Sequence, residues 1–122
     1  MIPKFRAWEK AGKRMVLVGS IDFRNEFIEY TYSPYDDSNR VVSEFLEFCD
    51  VVLMQSTGLF DKNGVEIFEG DIVRMHSGEL LPVKLHHGMF EPVCYYASRA
   101  FGRVGNVFEN PELLEHPDFR EG

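Results

Sequence analysis

Apolar and polar residues alternate with a two-residue period along much of this chain, in short runs separated by turn-forming residues, which is the pattern of β-strands. Phe27 to Tyr32 shows it best: Phe27, Glu29 and Thr31 share one face and Ile28, Tyr30 and Tyr32 the other. Phe5 to Trp8 reads as a strand, Ala11-Gly12 as its turn and Arg14 to Val18 as the returning arm. Ser20 to Phe23 pairs with Phe27 to Tyr32 across Arg24-Asn25-Glu26, so the first third is predicted as a β-meander. Ser33 to Asn39 is turn-forming throughout and is the longest predicted loop.

The pattern is densest from Leu53 to Met75. Val51 to Met54 is a continuous apolar run, expected for a strand covered on both faces, and Gly58 ends it. Asp61-Lys62-Asn63-Gly64 fits a hairpin turn, either a two-residue type I′ loop or a type I turn closed by a glycine bulge. On the return arm Val65 and Ile67 oppose Glu66 and Phe68. Gly70 breaks the run, and Asp71 to Met75 begins a further strand. Ser77-Gly78 then turns the chain into Leu80 to Leu85, where Pro82 lacks an amide donor and marks an edge or a bulge. His87-Gly88 turns it into Met89 to Tyr96, Arg99 to Gly105 reads as a glycine-punctuated connection, and Val104 to Phe108 as a strand.

Two segments carry a helical signal. Val41, Val42, Phe45, Leu46 and Cys49 fall at helical spacing, with Asn39 placed to cap them, although the segment is rich in β-branched and aromatic residues. In Asn110-Pro111-Glu112-Leu113-Leu114, Asn110 is a good N-cap, Pro111 suits the first helical position and Pro117 stops the helix. Leu113 and Leu114 are then the docking residues, and Asp118 to Gly122 a frayed tail. The expectation is a mainly β (β-rich α+β) chain with one or two short helices, forming one domain over residues 1–122.

Composition narrows the function classes. A chain of 122 residues with 44% hydrophobic content is long enough to bury roughly two-thirds of its unfolded surface. Its 13 basic and 20 acidic residues give a formal charge of −7, which opposes non-specific attraction to a phosphate backbone. Lys4, Arg6, Lys10, Lys13 and Arg14 crowd the first hairpin, a placement that charges at strand edges explain. Cys49 and Cys94 form no C-x-x-C pair, and no apolar run approaches a membrane span, so a cytoplasmic protein with free thiols is expected.

Candidate chemistry is sparse. His86-His87, with His76, Glu69 and Asp71, is the one set that suggests a catalyst or metal site, but Gly88 makes a solvated turn the better reading of the histidine pair. Asp61-Lys62-Asn63-Gly64 has calcium-loop composition with glycine at the wrong position. No nucleophile motif or phosphate loop occurs, and no catalytic residue, cofactor or metal is assigned. Tyr30, Tyr32 and Tyr35, or Tyr95 and Tyr96, would stack on bases if exposed, but on an acidic chain core and hairpin packing is the better reading of them.

Several stretches together resemble the YopX family of phage and prophage proteins. They are Met1 to Trp8 (MIPKFRAW), Leu53 to Leu59 (LMQSTGL), Asp61 to Gly64 (DKNG), Ile67 to Val73 (IFEGDIV) and Gly105 to Leu114 (GNVFENPELL), in the expected order. Ser56 stands where an aromatic is usual, and Phe60 where a lysine is common. The resemblance implies a β-rich fold with a small SH3-like barrel in the C-terminal half, and an origin in a bacterial virus or integrated prophage. It brings no activity and no catalytic residue. The positions that carry it, Gln55, Thr57, Gly58, Asp61, Asn63, Gly64, Glu69, Gly70, Asp71, Asn106, Asn110 and Pro111, are candidates for partner contact or for structural duty. The expected role is a non-enzymatic accessory protein that binds a host or phage protein, with a homo-oligomer possible. The alternative is a nucleic-acid-binding small barrel, or an acidic mimic of DNA.

Overall fold

The computed structural model describes residues 4–32 and 39–120. Met1 to Pro3, most of the expected Ser33 to Asn39 loop and Tyr35 therefore lie outside the described residues. The chain is mainly β, with short 3₁₀ turns as its only helices among those residues. It divides into two compact units, Ile2–Leu53 and Met54–Gly122.

In the N-terminal unit, β1 (Phe5–Glu9) and β2 (Arg14–Leu17) form the first hairpin, with Ala7 opposite Val16. Strands β3 (Ser20–Asp22), β4 (Phe27–Tyr32) and β5 (Val42–Glu47) form a three-stranded antiparallel sheet in that order. The predicted helix over Val41 to Cys49 is instead β5 followed by a single 3₁₀ turn at Phe48–Asp50. Six consecutive residues of β4 pair with β5, and β propensity prevails over an ambiguous apolar spacing. Ala7, Ile28 and Val51 are the buried centre of this unit, flanked by Ile21, Leu46 and Phe48.

Strand β6 (Val51–Phe60) follows β1 in the sheet order β2-β1-β6-β7, and its Ser56 and Phe60 pair with β7 (Glu66–Phe68). In the C-terminal unit, β8 (Asp71–Met75) is the central strand of a second three-stranded sheet, between β12 (Phe101–Asn106) and β9 (Leu80–Pro82). The predicted Leu80 to Leu85 strand breaks at Val83 into β9 and β10 (Lys84–His86), and Pro82 ends β9 on the sheet edge. Strand β10 pairs with β11 (Met89–Glu91), after which Val93–Tyr95 turns as 3₁₀ rather than continuing the strand to Tyr96. Ile67, Val73, Met75, Val83, Val93 and Phe101 form the buried core.

Three C-terminal expectations are corrected. Phe101–Asn106 is a full strand, not a connection followed by a strand over Val104 to Phe108. The last helix is a five-residue 3₁₀ turn, Pro111–Glu115, in which Leu114 remains exposed. The tail is tied down as far as Arg120: Leu80 N donates to Asp118 O at 2.7 Å and Arg120 N to Leu80 O at 2.8 Å, so Phe119 runs beside Leu80, while Glu121 and Gly122 lie outside the described residues.

Candidate functional site

Two of the quoted motifs, DKNG and IFEGDIV, converge on β12. Asp61 opens the loop between β6 and β7, where Gly64 N donates to Asp61 O at 3.0 Å and Asp61 N to Val65 O at 2.9 Å. With Gly64 at φ +79°, this is the type I turn closed by a glycine bulge. The Asp61 side chain, 4% exposed, accepts from Asn63 N and Val65 N through Oδ1. Its Oδ2 accepts the backbone N–H of Arg103 at 2.8 Å. Burial would raise the pKa of this carboxyl, but the three N–H donors, Arg103 first, outweigh it and hold the group below the usual carboxylate range.

Asp71 reaches Arg103 from the other direction. Its carboxylate is fully buried, with Oδ2 accepting Phe68 N at 2.8 Å and Oδ1 lying 3.0 Å from Arg103 Nε. Gly70, at φ +89°, supplies the left-handed turn before it, and its amide and carbonyl bond Val83 O and Val107 N. Glu69 N donates to Gln55 O at 2.9 Å, which places Gln55 in the backbone ladder at this turn.

Asn106 is opposite Asp71 in the β12–β8 register and is fully buried. Its Oδ1 accepts Phe108 N and Glu109 N, and its Nδ2 donates to Glu109 Oε1 at 2.6 Å. Asn110, expected as a helix cap, makes no cap bond; its Oδ1 instead accepts Asn106 N at 3.1 Å. Pro111 does occupy the start of the 3₁₀ turn. A Cβ on Gly105 would lie 2.5 Å from Asn110 Oδ1, so the glycine is required by close approach.

The LMQSTGL stretch is an irregular section of β6. Between Ser56 opposite Phe68 and Phe60 opposite Glu66, β6 holds two residues more than β7, and Gly58 takes φ +75° within the bulge. Thr57 Oγ1 donates to Ile67 O at 2.7 Å and accepts Leu59 N, while Ser56 Oγ donates to Glu66 Oε2 and accepts Gly58 N. Ser56, the departure from the family pattern, thus takes part in fixing the bulge.

The histidine set does not assemble. His87 and Gly88, at φ +52° and +78°, are the two-residue turn between His86 and Met89, and the exposed His86 pairs through Nδ1 with half-buried Glu91 at 3.0 Å. Among the described residues, three potential metal-ligand groups gather only at Glu47, Cys49 and Asp50. There the charge of Asp50 pushes the exposed Cys49 thiol up, which favours the protonated form that binds metals poorly. Both cysteines are free.

Sequence reasoning did not anticipate two features. In the N-terminal unit, Tyr30 is 2% exposed and donates to Glu44 Oε2 at 2.5 Å, while Tyr32 donates to Glu44 Oε1 at 2.9 Å. Arg14 donates to both Glu9 and the Tyr30 hydroxyl, and its guanidinium lies 5.2 Å from the Tyr30 ring centre. Burial and then the Glu44 bond push the Tyr30 phenol up to about 12. In the sequence, only the shared face of Ile28, Tyr30 and Tyr32 is legible. The second feature is a cavity of about 240 Å³ in the C-terminal unit, with Leu81, Pro82, Leu85, Pro92 and Tyr95 in its wall and His86 and Glu91 on its polar side. It is assembled by the β10–β11 hairpin and the following turn, and no motif marks it.

These features define a β-rich protein whose buried carboxylates and asparagine fix backbone turns. The chain belongs to the YopX family: the family model, described as YopX protein, matches residues 4–115. It is also similar in structure to protein EF1440 from Enterococcus faecalis, with a TM-score of 0.66 and 29% identity, over 93% of this chain and 99% of that one. No curated protein matches the sequence. Among the described residues no helix is long and apolar enough to cross a membrane.

Proposed function

We propose that this chain is a non-enzymatic accessory protein of a phage or prophage, acting in the bacterial cytoplasm by binding a protein partner through the β10–β11 cavity. The observation that carries the reading is the cavity itself. Its volume of about 240 Å³ falls below the roughly 300–1,000 Å³ of small-molecule sites, and suits one bulky apolar side chain of a partner. Leu85, Met89 and Tyr95, on the hairpin and the turn after it, are all exposed by more than 40%, and pockets of this kind with aromatic and methionine neighbours anchor protein interfaces. The side chains of Asp61, Asp71 and Asn106 are committed to the fold, so partner contact falls to the hairpin rather than to the motif residues.

The test is affinity purification of the tagged chain from phage-infected or prophage-induced cells, beside Leu85→Asp and Tyr95→Ala variants of unchanged circular dichroism. A stoichiometric protein retained by the wild type and lost from both variants is expected. A partner that binds all three equally, or no partner at micromolar concentration, overturns the proposal.

A second reading follows from the adjacent exposure of Tyr95 and Tyr96, at 62% and 53%. Two exposed rings in sequence offer a stacking platform for single-stranded nucleic acid. Salt-dependent binding to single strands supports it, and a flat response at low salt removes it.

A further inference from the structure

The three-stranded sheet of the N-terminal unit ends on β5, and among the described residues nothing pairs with the outer edge of that strand. The direction of its backbone groups follows from its neighbours. Phe48 N donates to Glu26 O at 2.9 Å, one step beyond the Phe27–Glu47 pair, and on β4 the Glu29 carbonyl is taken by Gly19 N of the β3 side. In an antiparallel ladder the groups alternate, so Val42, Glu44 and Leu46 bond β4 while Ser43, Phe45 and Glu47 direct their N–H and C=O groups outward.

This edge lacks most of the devices that prevent pairing. It is regular over six residues and has no proline, no lysine and no bulge. Phe45, 61% exposed, stands on the outer face against Phe27 with ring centres 5.3 Å apart, and Val41 just before the strand is 69% exposed. By contrast β3, the other edge of the sheet, is only three residues long.

We propose that β5 is a self-pairing edge: two copies of this chain join antiparallel about a two-fold axis at Phe45, making one continuous six-stranded sheet. The charges select this occupant and this register. With Phe45 opposite Phe45 of the second copy, Glu47 faces Ser43 and Glu44 faces Leu46, so no carboxylate opposes another. A shift of two residues one way puts Glu44 opposite itself. A shift the other way runs the pairing into the Phe48–Asp50 turn. The favoured register makes about six new backbone hydrogen bonds from groups that are otherwise solvated, and it is isologous, as a closed dimer requires. No residue of β5 lines the β10–β11 cavity, so the pairing stands or falls independently of the binding proposed there.

Sedimentation equilibrium of the intact chain tests the pairing. The wild type is expected to dimerise with a dissociation constant of about 10 μM or tighter, and Ser43→Pro, which removes only an outward N–H, to weaken this by at least about tenfold with unchanged circular dichroism. As a second measurement, Phe45→Cys in a Cys49→Ser, Cys94→Ser background is expected to form a disulfide-linked dimer on oxidation, while Thr31→Cys on the same sheet face is not. A wild type that stays monomeric to about 1 mM, leaving the edge to some other strand, overturns the proposal. So does a dimer that Ser43→Pro leaves intact, or one in which Phe45→Cys and Thr31→Cys cross-link alike.

Discussion

The backbone N–H of Arg103 donates to Asp61 Oδ2 at 2.8 Å across 42 positions of sequence, while the Arg103 side chain meets Asp71 Oδ1 at 3.0 Å. One residue of β12 is thus held by two buried carboxylates, one from each motif-bearing turn. Because charged acceptors satisfy otherwise orphaned N–H groups, deleting the Asp61 carboxylate strands three donors at once, those of Asn63, Val65 and Arg103.

Asp61→Ala is therefore expected to destabilise the chain by about 3 kcal/mol, and Asp61→Asn, which keeps one acceptor oxygen, by less. Urea unfolding measures both. The folded pKa of Asp61 lies below its unfolded value, so its contribution is complete above that unfolded value and is lost as pH falls through the folded one. The stability gap between wild type and Asp61→Asn should accordingly narrow as pH drops below about 4. A gap that widens there would contradict the assignment.

Gly105→Ala places a methyl group 2.5 Å from Asn110 Oδ1 and 3.0 Å from Leu113 Cδ1. Overpacking of this kind is expected to cost about 2 kcal/mol. Asn110→Ala alone loses the acceptor of Asn106 N–H and costs about 1 kcal/mol. In the double variant the clash with Oδ1 is gone, so the two effects should sum to less than their separate values. Strict additivity in a double-mutant cycle would show that Gly105 is not required for the approach of Asn110.

The β-rich class, the first hairpin, the alternation of Phe27 to Tyr32 and the Asp61 to Gly64 turn were legible because turn chemistry and a two-residue period speak for themselves. Strand β12 was not. Its sequence FGRVGN reads as a connection because glycine usually signals a turn, yet here a Cβ on Gly102 would lie 3.0 Å from Lys62 Cε, and Gly105 makes room for Asn110. Close approach and turning leave the same letter in the sequence. Strand β5 reads as helical for a different reason: Val41, Val42, Phe45, Leu46 and Cys49 match a helical stripe, yet Val41, Phe45 and Cys49 are exposed while Leu46 packs on the core, so the set does not share one buried face. The cavity beside Tyr95 depends on where β9 ends and β10 begins, which periodicity does not resolve.

Tyr30 yields an alkaline prediction. Its phenol is pushed up to about 12, first by burial and then by its bond to Glu44. With a folded pKa above the unfolded value near 10, the contribution of this group is whole below pH 10 and is lost as pH rises towards 12. Near-ultraviolet absorbance should show a tyrosine that ionises only near the top of that range or together with unfolding. Tyr30→Phe should abolish that step and lower stability at neutral pH by about 1–2 kcal/mol. If the late step survives in Tyr30→Phe, another phenol is responsible.

The β10–β11 hairpin offers a change in the opposite direction. Its two-residue turn puts His87 at φ +52° and Gly88 at φ +78°, the left-handed pair of a type I′ turn. Glycine meets that demand freely, whereas histidine carries a Cβ penalty that asparagine largely escapes by bonding its own backbone. His87→Asn should therefore stabilise the hairpin by about 0.5 kcal/mol, and Gly88→Ala destabilise it by about 1 kcal/mol, although a Cβ at Gly88 would touch nothing within 4 Å. Amide hydrogen exchange of the hairpin, read beside global unfolding, separates a local gain from a global one. If Gly88→Ala left protection unchanged, the left-handed backbone would not be what holds this turn.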